Sequence, residues 1–214
     1  MTSHNPLIIS IDGNVGAGKT RLLTSLAREV ATDASIVILH EPVDVWTRIV
    51  DDQGANLLEL YYKEPVKYAF ALQATALITR HARIEAAAKA GARVIVMERT
   101  LATDIEVFAK MSFEKGNMSP IEWKIYQLWS SVLYDQYPIS GIVYVTTPPS
   151  VCKIHIAKRG RPGEELLEDE WLGELHRFHD EYIEKYSQTH EICRIAWDMS
   201  IEEQVITVLN MIKK

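Results

Sequence analysis

Three groups of residues have types and spacings suited to chemistry on a phosphate. Gly13-Asn14-Val15-Gly16-Ala17-Gly18-Lys19-Thr20 matches G-x-x-x-x-G-K-[ST] in full. Its glycines let backbone N–H groups turn inward around phosphate oxygens, and a helix starting there adds its positive end. Lys19 is placed to reach the β- and γ-phosphates of a nucleoside triphosphate, and the hydroxyl of Thr20 to ligand Mg²⁺. The second group is acidic: Glu41, heading Glu41-Pro42-Val43-Asp44-Val45-Trp46, and Glu98, followed by Arg99 and Thr100. A carboxylate that orients an attacking hydroxyl and accepts its proton is the usual addition to a phosphate cradle, and Glu41 is the candidate. Arg99 suits charge on a transferring phosphoryl group, and Glu98 suits Mg²⁺, directly or through water. The third group is Arg159 and Arg161, in the stretch KRGRPGEE at 158–165. Guanidinium groups on a mobile loop can close over phosphates and exclude water.

Each group also has a plainer reading. Glu41 can cap the segment that follows it, Trp46 can be ordinary core, Glu98 and Arg99 can be a buried structural pair, and 158–165 can be a solvated basic loop. Position separates the readings. Short β-branched runs at Leu7–Ile11, Ile36–Leu39, Val94–Met97 and Ile142–Val145, with a weaker one at Ile192–Trp197, predict strands covered on both faces. Helical patterns at Thr20–Ala31, Pro65–Ala90, Pro120–Tyr134, Glu168–Gln188 and Ile201–Lys213 alternate with them. This alternation predicts an α/β fold, a parallel sheet of about five strands with helices on both faces. The phosphate loop, Glu41 and Glu98-Arg99 all follow strands directly, so all fall at the carboxyl edge where ligands bind. Two acids and an arginine at one edge beside a phosphate cradle are hard to explain as packing.

The length of 214 residues fits one domain, 1–214, with the lid at 158–165. A net charge of −6 argues against a general nucleic-acid binder. No apolar run approaches the ~20 residues of a membrane span. The N-terminus MTSHNPLIIS has no charged region ahead of its apolar residues, which argues against a cleaved signal. Cys152 and Cys193 form no paired motif, so an intracellular, cytoplasmic setting without a disulfide framework is expected.

Taken in order, GNVGAGKT, EPVDVW, NLLELYYKEP, Gln73, ERT and KRGRPGEE resemble the deoxyribonucleoside kinase family, which includes deoxycytidine and deoxyguanosine kinases and herpesviral thymidine kinases. The resemblance runs from the first strand to the helix after the lid. It implies the P-loop kinase fold, and transfer of the γ-phosphoryl group of ATP, with Mg²⁺, to the 5′-hydroxyl of a deoxynucleoside. By the same resemblance Tyr62 meets the sugar 3′-hydroxyl, Gln73 pairs with the base, and Phe108 stacks on it opposite Trp46. Glu164 or Glu165 meets the 3′-hydroxyl from the lid; the herpesviral form of the loop selects Glu164, the cellular form Glu165. The family often has another arginine one turn before the lid, where this chain has His155. Residue type alone leaves Tyr62 a surface tyrosine, Gln73 a solvated amide and Phe108 a core phenylalanine.

Arg80 and Asp104 fall where deoxycytidine and deoxyguanosine kinases carry an Arg–Asp pair, with Ala76 completing the pattern. Gln73, Ala76 and Arg80 share a helix face. The resemblance therefore favours deoxycytidine or a deoxypurine over thymidine, although a structural ion pair fits the same two residues. It also implies a homodimer packed through helices, with Pro65–Ala90 as a candidate. Other readings are a nucleoside monophosphate kinase, which needs further arginines for the acceptor's phosphate, a non-catalytic subunit of the same fold, and a DNA-modifying or motor ATPase.

Overall fold

The computed structural model describes residues 5–213. The first four residues, on which the reading of the N-terminus partly rests, lie outside them. Five parallel strands, β1 (Leu7–Asp12), β2 (Ile36–Leu39), β3 (Val94–Glu98), β4 (Gly141–Thr146) and β5 (Glu191–Ala196), form one sheet in the order β2-β3-β1-β4-β5. Because successive side chains point to opposite faces, each strand feeds two cores. Ile8, Ile95, Met97, Ile142 and Tyr144 pack on one side. Ile9, Ile11, Val94, Val96, Val143 and Val145 pack on the other. The central strands β1 and β3 are covered on both faces; the edge strand β2 is only half-buried and β5 is partly exposed.

Helices α1 (Lys19–Glu29) and α10 (Ile201–Ile212) cover the second face. Leu22, Leu23 and Leu26 of α1 are fully buried there, each contributing about 1.5–3 kcal/mol of apolar burial. The other face carries α4 (Pro65–Lys89), α7 (Pro120–Tyr134) and α9 (Asp169–Ser187). Pro65 and Pro120 each stand at the first turn, where a missing N–H costs nothing. Ser119 and Ser200 close capping boxes at the starts of α7 and α10.

Several elements go beyond the periodic segments. α2 (Val43–Trp46) and α3 (Leu57–Lys63) are short helices between β2 and α4. After β3 the chain runs through α5 (Leu101–Thr103), a π-helical turn at Asp104–Ala109, and α6 (Lys110–Glu114). α8 (Pro149–Arg159) follows β4. It corrects the expected lid boundary: Lys158 and Arg159 form the last helical turn, which ends at Gly160 in the left-handed region. The turn that follows leads into a single 3-10 turn, Glu164–Leu166. Among the described residues no helix is long and apolar enough to cross a membrane.

Candidate active site

The carboxyl ends of β1, β2 and β3 deliver the expected residues to two adjoining cavities. The loop after β1 is built around close approaches. A Cβ on Gly16 would lie 2.6 Å from the carbonyl oxygen of Cys152, and one on Gly13 2.8 Å from that of Val145. Both glycines have positive φ, so side chains are excluded by space and by backbone conformation. Asn14 fixes the loop through its side chain: Oδ1 accepts from Val15 N at 2.8 Å and Nδ2 donates to Leu172 O at 2.9 Å. Lys19 folds back, its Nζ donating to the carbonyls of Gly13 and Asn14 at 3.0 and 2.8 Å. Burial, then repulsion from Arg99, lowers the Lys19 pKa to about 8 against the pull of Glu98 and Glu41.

Glu98 ends β3 beside this lysine, 3.9 Å from Nζ, and accepts a 2.9 Å hydrogen bond from Thr20 Oγ1. A hydroxyl and a carboxylate side by side at the phosphate loop are hard oxygen donors of the kind that suit Mg²⁺. Arg99 has φ 58, a left-handed conformation rare outside glycine. That turn aims its guanidinium back across the strand ends: Nη1 donates to Glu41 Oε1 at 2.7 Å and Nη2 to Gly13 O at 3.3 Å. Its Cζ sits 4.7 Å from the Phe108 ring centroid.

Glu41 lies at the end of β2. Burial pushes its carboxyl up, but the charges of Arg99, Arg80 and Lys19 outweigh that and hold its pKa at about 2. Arg80 is 1% exposed and binds Asp104 bidentately, at 2.7 and 3.1 Å. Burial raises the Asp104 pKa, with Arg80 pulling the other way.

The first cavity is enclosed by Glu41, Trp46, Tyr62, Gln73, Ala76, Arg80, Asp104, Phe108, Glu164 and Trp171, among others. Trp46 is buried, its indole N–H donating to Thr79 Oγ1 at 3.0 Å, so it is both core and cavity wall. Gln73, Ala76 and Arg80 share the face of α4 that the spacing predicts. The Gln73 amide faces the cavity without a hydrogen bond from any described residue. The π-helical turn sets Asp104 and Phe108 on the same wall.

The lid places Glu164 and Glu165 differently. Glu164 is buried and lines the cavity, whereas Glu165 is exposed. Arg159 grips Glu164 at 2.7 to 3.0 Å and Arg161 reaches it at 3.2 Å.

A second cavity runs along the other side of the phosphate loop, lined by residues 16–21, Thr147, His155, Lys158 and Trp197. The two cavities share Gly16, Lys19, Glu98 and Arg159. His155 puts Nδ1 2.8 Å from the Gly16 carbonyl oxygen, so it holds the loop where an extra arginine is common in the resembling family. Thr147 donates to Ala17 O at 2.9 Å. Trp171 and Trp197 escaped the sequence reading. A tryptophan in the first turn of a helix and one just after a strand's carboxyl end are the signals that point to them.

A phosphate loop, a basic lid and strand-end acids on this sheet define a P-loop phosphotransferase. The sequence model of the deoxynucleoside kinase family matches residues 9–214. The chain is 32% identical over 205 residues to deoxycytidine kinase 2 of Gallus gallus, covering 86% of this chain and 76% of that one. It is 28% identical over 224 residues to deoxycytidine kinase of Homo sapiens (94% and 82% covered). With the mitochondrial deoxyguanosine kinase of Xenopus laevis the identity is 26% over 196 residues (83% and 73%). The chain belongs to the deoxynucleoside kinase family and is an ATP-dependent phosphotransferase that works with a divalent metal.

Proposed function

We propose that the chain transfers the γ-phosphoryl group of ATP to the 5′-hydroxyl of a deoxynucleoside whose base carries an exocyclic amino group or a purine edge, with deoxycytidine the first candidate. The observation that carries this reading is the junction of the two cavities. A nucleoside in the first and a triphosphate in the second meet at Gly16, Lys19, Glu98 and Arg159, with Glu41 and Arg99 alongside. Gln73 and Asp104 offer the base a donor–acceptor amide and a carboxylate. Trp46 and Phe108 supply aromatic walls. Tyr62 and Glu164 address the sugar from α3 and the lid. The relatives named deoxycytidine and deoxyguanosine kinases support this choice of base.

In the reaction Glu41 orients the 5′-hydroxyl and accepts its proton as the bond from that oxygen to the γ-phosphorus forms and the bond from the γ-phosphorus to the bridging oxygen breaks, releasing ADP. Because two arginines hold it at about pKa 2, it is a weak base until Arg99 turns to the phosphoryl oxygens and releases it. Arg159 and Arg161, docked on Glu164 here, are the cations for the donor phosphates. Thr20 and Glu98 would hold Mg²⁺, which neutralises charge between the phosphates. The chain acts as one domain with the turn at 160–165, after α8, as its lid, in the cytoplasm, on small molecules and not on nucleic acid. We also propose a homodimer. Val66 and Ile78 of α4 and Ile121, Leu128, Trp129 and Val132 of α7 are exposed apolar side chains on two helices that pack together.

A monophosphate kinase would need free cations for the acceptor's phosphate. Here Arg80 is bound by Asp104, and Arg159 and Arg161 are taken by the donor phosphates on this reading. The non-catalytic reading requires an eroded site, and Lys19, Thr20, Glu41 and Arg99 are all in place. ATP supplied with each deoxynucleoside and each monophosphate, followed by mass detection of product, tests the reading. Deoxynucleoside 5′-monophosphate is expected; turnover of monophosphates alone would overturn it.

A further inference from the structure

The turn at Arg99 is held from its backbone side by buried groups that take no part in the chemistry. Arg99 N donates to Ile11 O at 3.1 Å, which carries the pairing of β1 and β3 one residue past Glu98. The next amide, Thr100 N, donates to Thr103 Oγ1 at 3.1 Å. Thr103 Oγ1 in turn donates to Asp12 Oδ1 at 2.7 Å, and Ser10 Oγ donates to Asp12 Oδ2 at 2.5 Å. A hydroxyl has one proton, so with the Thr100 N–H on its lone pair Thr103 gives that proton to Asp12. Ser10, Asp12, Thr100 and Thr103 are each at most 1% exposed. Burial pushes the Asp12 carboxyl up; the two hydroxyls, then the charges of Arg99 and Lys19, pull it down.

Capping of α5 accounts for the first of the two Thr103 bonds but not for the second. Thr103 is the third residue of α5, where a hydroxyl that accepts from Thr100 N closes the helix start. The bond to Asp12 adds a tie to another element, the last residue of β1, one before Gly13. The Gly13 carbonyl accepts from both Lys19 and Arg99. Thr103 therefore fixes the exit of β3 against the start of the phosphate loop. The side-chain anchors of Arg99 cannot do this throughout the reaction. Glu41 and Gly13 hold the guanidinium at rest, and charge on the phosphoryl group competes for it. A non-glycine residue at φ 58 persists only where its surroundings impose that conformation. When the guanidinium moves, the backbone bonds are what keep the turn in place.

We infer that Thr103, backed by Asp12, is a positioning residue for Arg99: its two hydrogen bonds keep the left-handed turn aimed at the phosphate loop while the guanidinium changes partners. This rests on the reading of Arg99 as the cation for the transferring phosphoryl group.

The test compares T103V, which matches threonine in shape and loses both bonds, with T103S, which keeps them. Misplacing a catalytic group by about 1 Å costs up to ~10²-fold. In T103V kcat is expected to fall about tenfold, with KM for ATP within twofold of wild type, and in T103S to recover to within about threefold. A residue that only supports the fold would lower the Tm of T103V and leave kcat, read well below that Tm, within twofold of wild type. That result overturns the inference, and so does T103S no better than T103V. T103A, which sets no methyl group against the Asp12 carboxylate, decides the matter if T103V does not fold. R99K tests the route. Lysine is a flexible point charge that depends less on the direction of the turn, so adding T103V to R99K should lower kcat by less than about threefold more. A further full tenfold would show that Thr103 does not act through Arg99. R99M separates the two layers. Normal kcat in R99M removes the reading of Arg99 itself. Lost turnover in R99M with normal kcat in T103V removes the role of Thr103 alone.

Discussion

Replacing Glu41 by Gln is the most informative single change, because it deletes one charge and almost no volume. A positioned base contributes roughly 10²–10⁴-fold, which is about 3–5 kcal/mol of transition-state stabilisation. Loss of kcat in that range is expected. The stability effect follows from the same environment. Arg99 and Arg80 hold the carboxyl at about 2, where the ordinary value is 4.5. At about 1.4 kcal/mol per unit, the ionised form contributes on the order of 3 kcal/mol. Glutamine keeps an oxygen for Arg99 Nη1, Arg80 keeps Asp104 and the Glu98 carbonyl, and Arg99 keeps the Gly13 carbonyl. About half of the contribution survives by this reckoning, so a loss of about 1–2 kcal/mol and a Tm lower by roughly 2–8 °C are expected for a chain of this size. Turnover is read by coupled ADP release, ATP affinity by calorimetry and folding by thermal melting. ATP should still bind, since the phosphate loop makes its contacts without Glu41. A kcat within threefold of wild type would refute the assignment of the proton acceptor; loss of ATP binding would refute the separation of the two cavities.

The same carboxyl sets an acid limit. Its folded pKa lies below the unfolded one, so its stabilisation is full above about pH 4.5 and is lost as pH falls towards 2. Urea melts between pH 5 and 3 should show a shallower pH dependence in E41Q than in wild type; equal slopes would contradict the shifted pKa. Gly163→Ala should loosen the lid: φ is +86 and a Cβ would lie 3.1 Å from Tyr62 Cδ2 and 3.2 Å from Glu59 Cα. A strain of about 1–2 kcal/mol is expected to appear as a roughly five- to thirtyfold rise in nucleoside KM, and an unchanged KM would show that the lid does not close on Tyr62. Leu128→Glu with Val132→Glu puts two charges on the exposed face of α7. Sedimentation should show wild type at twice 24.3 kDa and the variant at 24.3 kDa; a monomeric wild type would dismiss the dimer.

What was readable in the sequence was what local pattern determines. A β-branched run marked the strand Ile36–Leu39 to the residue, and a Ser-Pro start marked the helix Pro120–Tyr134. The phosphate loop and the acids at 41 and 98 were readable because a motif and a strand end coincide. α3 carried a legible signal that went unused: Asn56 and Glu59 make a capping box. α8 was harder. Its PSVCKIHIAKR mixes β-branched and basic residues, and its helical state rests on contacts with the phosphate loop, such as Cys152 against Gly16 and His155 against the Gly16 carbonyl. The π-helical turn leaves no periodicity to detect, since one extra residue shifts the face it presents.

The alternating charges of Asp104, Arg80, Glu41 and Arg99 lie beyond any local reading for a different reason. Arg80 and Asp104 could be paired from family pattern, but the contact of Arg80 with Glu41 requires α4 to cross the end of β2. The turn at Arg99 cannot be foreseen at all. A non-glycine residue at φ 58 costs about 1–3 kcal/mol, and no sequence rule would place an arginine there. Its contacts explain why it persists. The left-handed turn sends the guanidinium to Glu41 and to the Gly13 carbonyl while Phe108 covers its face, and each contact to a buried charge offsets part of the strain. Because Glu41 is the strongest of these partners, the strain is best supported while the site is at rest. In the proposed reaction phosphate draws Arg99 away, that support weakens, and the carboxylate is freed at the step that needs a base.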